Sequence, residues 1–213
     1  MKKSKIISII GLFFIVFYLV NTAHSQEIKI GAQIWADKNL DVSTFRNGDT
    51  IVEARSNEDW ARLGKEKKPA WCYYQNDIAN GKKYGKMYNW FAVNDPRGLA
   101  PKGWHVPSDA EWIKLIEVLG GEVGVGLKMK STDGWEIDGN GTNSSNFSAL
   151  PGGIRDMGGI FIFIGQSGYW WSKTEYQDEF AWSRSLFYKN NDLVKFARAK
   201  KKESGISVRC IKD

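Results

Sequence analysis

The chain has 213 residues, 42% of them hydrophobic, two cysteines and a formal charge of +6. Residues 1–25 contribute Lys2, Lys3 and Lys5 but no acidic residue, so residues 26–213 carry a formal charge of +3. So small a charge argues against a nucleic-acid-binding protein. The remaining 188 residues are enough for one domain with a sizeable core.

The N-terminus has the three parts of a secretory signal peptide. Its lysines precede an apolar run from Ile6 to Val20, and Ala23 and Ser25 fit the small-x-small cleavage rule. We expect cleavage before Gln26 and a protein that is secreted or periplasmic, including one held at the cell surface. A retained membrane anchor is the disfavoured alternative, because the apolar run has 15 residues and a spanning helix needs roughly 20.

Short elements are predicted over the first part of the mature chain. Alternation over 27–35 around a glycine predicts two strands joined by a tight turn. Ser56 and Asp59 have the spacing of a capping box, which predicts a short helix over 57–63. The apolar stretch 69–74 is predicted to be extended and buried. Residues 84–93 fit either a strand or one helical turn.

A capped helix gives the clearest signal in the chain. Ser108 and Glu111 form a capping box, and Gly120 follows the last apolar position as a stop. The spacing of i, i+3, i+4 and i+7 places four side chains on one apolar stripe: Trp112, Leu115, Ile116 and Leu119.

Most of the predicted strands lie in the last third of the chain, after a long loop over 120–146. An antiparallel meander is predicted from segments 147–150, 160–164, 168–172, 180–188, 193–196 and 206–210. The fold class is therefore α+β, with one or two short helices packed on a small, mostly antiparallel sheet with long loops.

Aromatic and amide side chains are the candidate binding residues. Flat aromatic faces stack on sugar rings, and Trp135, on the Gly- and Asn-rich loop, is the tryptophan that we most expect to be exposed, with core packing as the alternative. Asn140 and Asn143 lie on the same loop, and Trp182 lies on an alternating strand where it could face either way.

Oxygen-bearing side chains in this loop suit a structural Ca²⁺, the one cofactor that the sequence suggests. Their spacing matches no EF-hand, so a polar loop without metal is the favoured interpretation. The residues are Asp133, Asp138, Asn140, Asn143 and Asn146.

No catalytic constellation is found, and we expect a protein that is not an enzyme. His105 is the one histidine of the mature chain and is interpreted as a structural turn residue. Asp109 and Glu111 are two apart on a helix and do not face each other, so capping explains them better. A basic run over 195–202 is interpreted as a solvated turn or a contact for an acidic polysaccharide or lipopolysaccharide.

Cys72 and Cys210 are predicted to form a disulfide. In an oxidising compartment an even pair that closes a long loop is more often a disulfide than a metal or catalytic site. The chain-entropy model gives roughly 4–5 kcal/mol for so long a loop.

Seven motifs in fixed order resemble the Fibrobacter succinogenes major paralogous domain, over essentially the whole mature chain. They are IGAQIWADKNL (30–40), WCYYQND (71–77), YGKMYNWFAV (84–93), GWHVPSDAEW (103–112), ALPGGIRD (149–156), GYWWSKT (168–174) and SVRCIKD (207–213). The resemblance implies a secreted or surface protein without an established activity. It also implies a C-type-lectin-like fold, which formylglycine-generating enzymes share.

The departures from those relatives limit the function. Formylglycine-generating enzymes carry a second, copper-binding cysteine five residues before the last one, and here that position is Gly205. The Glu-Pro-Asn or Gln-Pro-Asp and Trp-Asn-Asp motifs of calcium-dependent lectins are missing from the sequence. We expect a non-enzymatic binding domain for a glycan or a surface protein. An extracellular glycan- or protein-modifying enzyme and a structural interaction module are the alternatives.

Overall fold

A computed structural model describes residues 27–194 and 200–213, with only the backbone at 193 and 194. The predicted signal peptide, 1–25, lies outside the described residues and stays a prediction. Within the described part, no helix is long and apolar enough to cross a membrane.

The fold is α+β, as predicted, but with more helices than expected. Five α-helices and one short 3-10 helix (Tyr74–Asn76) form within the described residues. The α-helices are α1 (Asn57–Lys65), α2 (Ile78–Tyr84), α3 (Trp90–Val93), α4 (Asp109–Val118) and α5 (Val125–Met129).

The strands form four small sheets, almost all antiparallel, with one parallel pair between β3 and β4. Their bounds are β1 (Glu27–Ile30), β2 (Gln33–Ala36), β3 (Val52–Glu53), β4 (Ala70–Cys72), β5 (Met87–Tyr88), β6 (Trp104–His105), β7 (Gly152–Arg155), β8 (Phe161–Ile164), β9 (Ser167–Gln177), β10 (Phe180–Phe187), β11 (Asn190–Val194), β12 (Lys200–Lys201) and β13 (Ile211–Lys212). Their order is β1-β2-β13-β6 in the first sheet, β3-β4-β5 in the second and β7-β8 in the third. The fourth sheet has the order β11-β10-β12, with β9 also on β10.

The first sheet joins the two ends of the described chain. In it β13 lies between β2 and β6, with Ile211 opposite both Trp35 and His105. Gly31 takes φ +60° in the tight turn between β1 and β2, a conformation that glycine adopts without strain. The predicted N-terminal hairpin is therefore confirmed, and it receives the C-terminal strand as its neighbour.

The predicted helix starts are confirmed. Ser108 accepts a hydrogen bond from the Glu111 N–H, and the Glu111 carboxylate accepts one from the Ser108 N–H, which completes the capping box of α4. Ser56 accepts from the Asp59 N–H and caps α1, which runs to Lys65 rather than 63. Each cap satisfies a backbone donor that the first helical turn leaves without a partner.

The strand predictions of the last third hold in part. The segments 160–164, 168–172 and 180–188 lie on β8, β9 and β10. Residues 147–150 form no strand, and only Ala149 makes an isolated bridge, to Lys130. Within 206–210, Ile206 and Ser207 make isolated bridges, and the regular strand begins at Ile211.

Tryptophans hold the layers together. Trp112 of α4 packs against Trp35 of β2 with ring centroids 4.8 Å apart, and Phe147 contacts both rings and Trp170 of β9. All four side chains are fully buried. Because the predicted stripe of α4 faces this cluster, the capped helix is fixed on both the N-terminal hairpin and the meander.

The exposure predicted for Trp135 is wrong. The side chain is 6% exposed and belongs to the same core cluster as Trp35 and Trp170. Its indole N–H donates to Ser131 Oγ and to the Ala149 carbonyl, at 3.1 and 3.0 Å. The loop composition is polar, but its one large apolar ring turns inward and anchors the loop to the core.

The predicted disulfide is also wrong, since both cysteines are free and buried. Cys72 packs beside Met87 and Trp60, whereas Cys210 belongs to a different core cluster, with Trp171 and Val208. The two thiols are therefore packed among different apolar side chains and form no bond with each other. Burial raises the pKa of each thiol to about 12, so both stay protonated at neutral pH.

Replacement of Trp135 by alanine should therefore destabilise the fold. Removal of a buried tryptophan loses apolar contacts and leaves a cavity, and we expect a loss of about 3–5 kcal/mol in the free energy of unfolding, measured in urea. Trp182→Ala is the matched control, because Trp182 is only half-buried. An equal or smaller loss at Trp135 than at Trp182 would contradict the buried position.

Candidate functional site

A cleft with a volume of about 770 Å³ lies where three segments of the chain meet. These segments are the hairpin β1–β2 with its exit to Asp41, the end of α2, and the loop over 131–150. The lining residues are mostly polar: Glu27, Ile28, Lys29, Asp37, Lys38, Asn39, Asp41, Gly81, Lys82, Lys83, Gly85, Ser131, Thr132, Asp133, Asn143, Asn146, Ser148, Leu150 and Arg209.

Arg209 forms the floor of this cleft. Its side chain is 1% exposed, and its Nη1 donates to the carbonyls of Ala36, Asp37 and Phe147 at 2.7–3.0 Å. Its guanidinium also lies 4.5 Å from the centre of the Phe147 ring. One buried cation thus connects the exit of the N-terminal hairpin to the 131–150 loop. Burial lowers the pKa of Arg209 to about 10, so it remains charged at neutral pH.

Asn39 completes the floor by serving three partners at once. Its Oδ1 accepts from Arg209 Nε and from the Trp170 indole at 3.1 and 2.9 Å, and its Nδ2 donates to the Tyr84 carbonyl at 2.8 Å. The end of α2 is therefore tied to the same floor. Gly85, which ends α2 at φ +74°, lets the chain pass close to Asn39.

One wall is the 131–150 loop, which is held by its own side chains. Asn143 Oδ1 accepts from the Ser148 N–H at 2.7 Å, and its Nδ2 donates to Ser148 Oγ at 2.9 Å. Asn143, Asn146 and Ser148 all take positive φ values between 50° and 59°, so the loop turns tightly. These bonds fix the polar groups that line the cleft before any ligand arrives.

The opposite wall is the C-terminal end of α2. Asp77 caps the start of this helix by accepting from the Ala79 N–H. Gly81 faces the Tyr73 ring so closely that a Cβ there would lie 2.3 Å from Cε1, which only glycine allows. Lys82 and Lys83 are therefore held in the last turn, beside the cleft.

The sequence-predicted site residues do not converge on one surface. Asn143 lines the cleft. Trp135 lies behind the loop wall. The backbone N–H of Trp135 donates to Asn140 Oδ1 at 3.0 Å. Trp182 lies apart on β10, in contact with Tyr176, with ring centroids 4.5 Å apart. The loop therefore supplies part of a cleft, but not an aromatic platform.

The floor and the α2 wall of the cleft were not predicted from the sequence. Arg209 stands between Val208 and Cys210 in an apolar stretch, and a cation in a buried stretch signals a tightly partnered group. That signal could have singled out Arg209. Nothing in the sequence indicated that the hairpin exit and α2 would lie beside the loop.

The described residues hold no group of three or more His, Cys, Asp or Glu side chains that could bind a metal ion. Two of the oxygens proposed as Ca²⁺ ligands, Asn140 Oδ1 and Asn143 Oδ1, already accept backbone hydrogen bonds. A structural Ca²⁺ in this loop stays a prediction.

Two of the three described lysines of the basic run pair with acids, and the third, Lys200, has its Nζ 4.6 Å from the centre of the Tyr169 ring. Lys201 pairs with Glu179, and Lys202, which is buried, pairs with Glu175. Lys195 and Arg198 lie outside the described residues. The interpretation of this run as a solvated turn is therefore wrong for Lys202.

His105 lies away from the cleft, between two carboxylates. Its Nδ1 lies 2.7 Å from Asp213 Oδ1, and its Nε2 lies 2.8 Å from Glu111 Oε1. Burial alone would lower its pKa, but the hydrogen bonds to Glu111 and Asp213 outweigh it and raise the pKa above 6.5. Each ring nitrogen must carry a proton to donate to its carboxylate. The doubly protonated imidazolium therefore connects β6 to Glu111 of α4 and to Asp213.

This tie should make stability depend on pH. Because the pKa of His105 is higher in the folded state, its contribution is complete below about pH 6.5 and is lost as pH rises through the folded pKa. The melting temperature of the wild type should exceed that of His105→Gln at about pH 5.5, and the gap should shrink by about pH 8.5. A gap that stays constant across this range would contradict the doubly protonated tie.

Comparison with known proteins places the chain in one family. No curated protein and no solved structure matches it. A family model described as the Fibrobacter succinogenes major domain matches residues 28–212, from β1 to β13. The chain therefore belongs to the Fibrobacter succinogenes major domain family.

Proposed function

We propose that the protein is a secreted, non-enzymatic binding domain that takes a glycan in the polar cleft, at or outside the cell surface. The observation that carries the proposal is the lining of the 770 Å³ cleft by amide, hydroxyl and charged groups, with Ile28 and Leu150 as its only large aliphatic side chains among the described residues. Ligands rich in hydroxyl groups match such a lining, because each buried polar group then finds a hydrogen-bond partner.

Rigidity of the lining supports the same proposal. Arg209 and Asn39 are each fixed by hydrogen bonds to separate segments, and Asn143 is fixed by two hydrogen bonds to Ser148 on its own loop. A ligand that meets groups already in place does not lose free energy in ordering them. The cleft can therefore gain affinity from hydrogen bonds alone, without the aromatic stacking that we expected from Trp135.

Binding without chemistry is proposed because two of the cleft's acids are already engaged. Glu27 pairs with Lys212, and Asp41 pairs with Lys86. Glycoside hydrolysis needs two carboxylates across the bound sugar. Asp37, which also lines the cleft, interacts with the buried Arg209 guanidinium, so an enzymatic alternative would have to rely on Asp133 and an acid that is already engaged.

A protein-interaction module is the second candidate, favoured by the hairpin β7–β8. Three of its apolar side chains are 47–56% exposed: Met157, Ile160 and Phe163. Phe163 also takes φ +67°, a backbone conformation that costs a non-glycine residue free energy. Exposed apolar side chains grouped on one hairpin are typical of a contact surface for another protein.

Blocking the cleft should abolish glycan binding. Thr132 is exposed and lines the cleft, so Thr132→Trp should fill it without disturbing the core. We expect residues 26–213 to bind members of a panel of bacterial, plant and host glycans, and Thr132→Trp to lose at least about tenfold in affinity (about 1.4 kcal/mol) by isothermal titration calorimetry.

Val123→Trp is the matched control, because Val123 is 85% exposed and lies outside the lining. It should bind as the wild type does. Repeating the glycan titration with a calcium chelator tests the calcium prediction. The release of a reducing sugar during the titration would favour the enzymatic alternative. No binding to any glycan by a folded protein would overturn the proposal in favour of the interaction module.

A further inference from the structure

We infer that the glycan taken by the cleft is an acidic one, with carboxylate, sulfate or phosphate groups along its chain. This inference rests on the proposed function and adds the chemical class of the ligand. It follows from which charges at the cleft are already paired and which are not.

The acidic side chains of the lining are mostly occupied. Glu27 pairs with Lys212, and Asp41 accepts from Lys86 and from the Tyr73 hydroxyl. Asp37 interacts with the buried Arg209 guanidinium. Among the described residues this leaves Asp133 as the lining carboxylate without an ion pair or hydrogen bond.

The lysines that line the cleft, in contrast to the acids, have no ion-pair partner among the described residues. The ammonium groups of Lys29, Lys38 and Lys82 are on exposed residues and make no hydrogen bond or ion pair with any described residue, and that of Lys83 has only the ring of Tyr84, 5.1 Å from its Nζ. A helix C-terminus attracts cations, which accounts for Lys82 and Lys83 but not for the two lysines of the hairpin and its exit. Four unpaired cations against one unpaired carboxylate make the cleft a site for anions.

The lysines come from two of the three segments that form the cleft. Lys29 comes from β1, Lys38 from the exit of β2, and Lys82 and Lys83 from α2. Lys83 reaches towards the opposite loop, since its Nζ lies 3.5 Å from the place that a Cβ on Gly134 would occupy. A chain with repeated negative charges can meet lysines from the hairpin and from α2, while its hydroxyl groups meet the amide and hydroxyl side chains of the loop.

The test compares binding of residues 26–213 to polygalacturonate, neutral dextran and polyglutamate by isothermal titration calorimetry at two salt concentrations. The wild type should bind polygalacturonate more tightly than either other polymer. High salt should weaken this binding, because salt screens exposed charges. The variant Lys38→Gln/Lys82→Gln/Lys83→Gln should bind polygalacturonate about tenfold less tightly. A loss of this size is expected when three exposed ion pairs with the ligand are removed.

The matched control is Lys65→Gln/Lys102→Gln/Lys114→Gln, which removes the same charge from exposed positions outside the cleft. One of these, Lys65, also lies in the last turn of a helix. This control should bind polygalacturonate as the wild type does. Circular dichroism establishes that both triple variants are folded.

Each other outcome overturns a defined part of the account. Equal binding of polyglutamate would reduce the site to a general polyanion surface and overturn the glycan class. Binding of neutral glycans that the lysine substitutions leave unchanged would overturn the acidic ligand but keep the proposed function. No binding to polygalacturonate or to any glycan of the panel would overturn both.

Discussion

The buried guanidinium of Arg209 is the interaction on which the architecture of the cleft depends. A charged group that is 1% exposed is stable only if its donors are satisfied. Arg209 meets this demand with carbonyls from the hairpin exit and the 131–150 loop, and with the carboxamide of Asn39. The C-terminal segment therefore holds together two parts of the chain that lie 173 and 62 residues before Arg209 in the sequence.

The same constraint explains why a loop-rich region can be rigid. Trp135 anchors the loop from below, Asn143 closes its turn, and Phe147 packs on both the arginine and the tryptophan cluster. The polar side chains that face the cleft therefore stand on a buried apolar base. Polar groups on such a base bind a ligand without first being ordered, as the proposed function requires.

The elements that follow local rules could be predicted from the sequence. Ser108 and Glu111 determine the start of α4 by hydrogen bonds within one turn, and alternation around Gly31 determines the hairpin. The site could be predicted only in part, through Asn143, because its other walls come together by long-range packing. Composition marked the 120–146 stretch as polar, but whether Trp135 faces water or the core depends on Ser131 and the Ala149 carbonyl.

The most direct measurement is an NMR titration of ¹⁵N-labelled residues 26–213 with a short galacturonate oligosaccharide. The account predicts that the amide signals that shift belong to both walls of the cleft, with Lys38, Lys82 and Asn146 among them, and that the exposed hairpin β7–β8 is unaffected. Saturable shifts confined to β7–β8, or no shifts at millimolar oligosaccharide, would contradict the central claim that this polar cleft is the binding site.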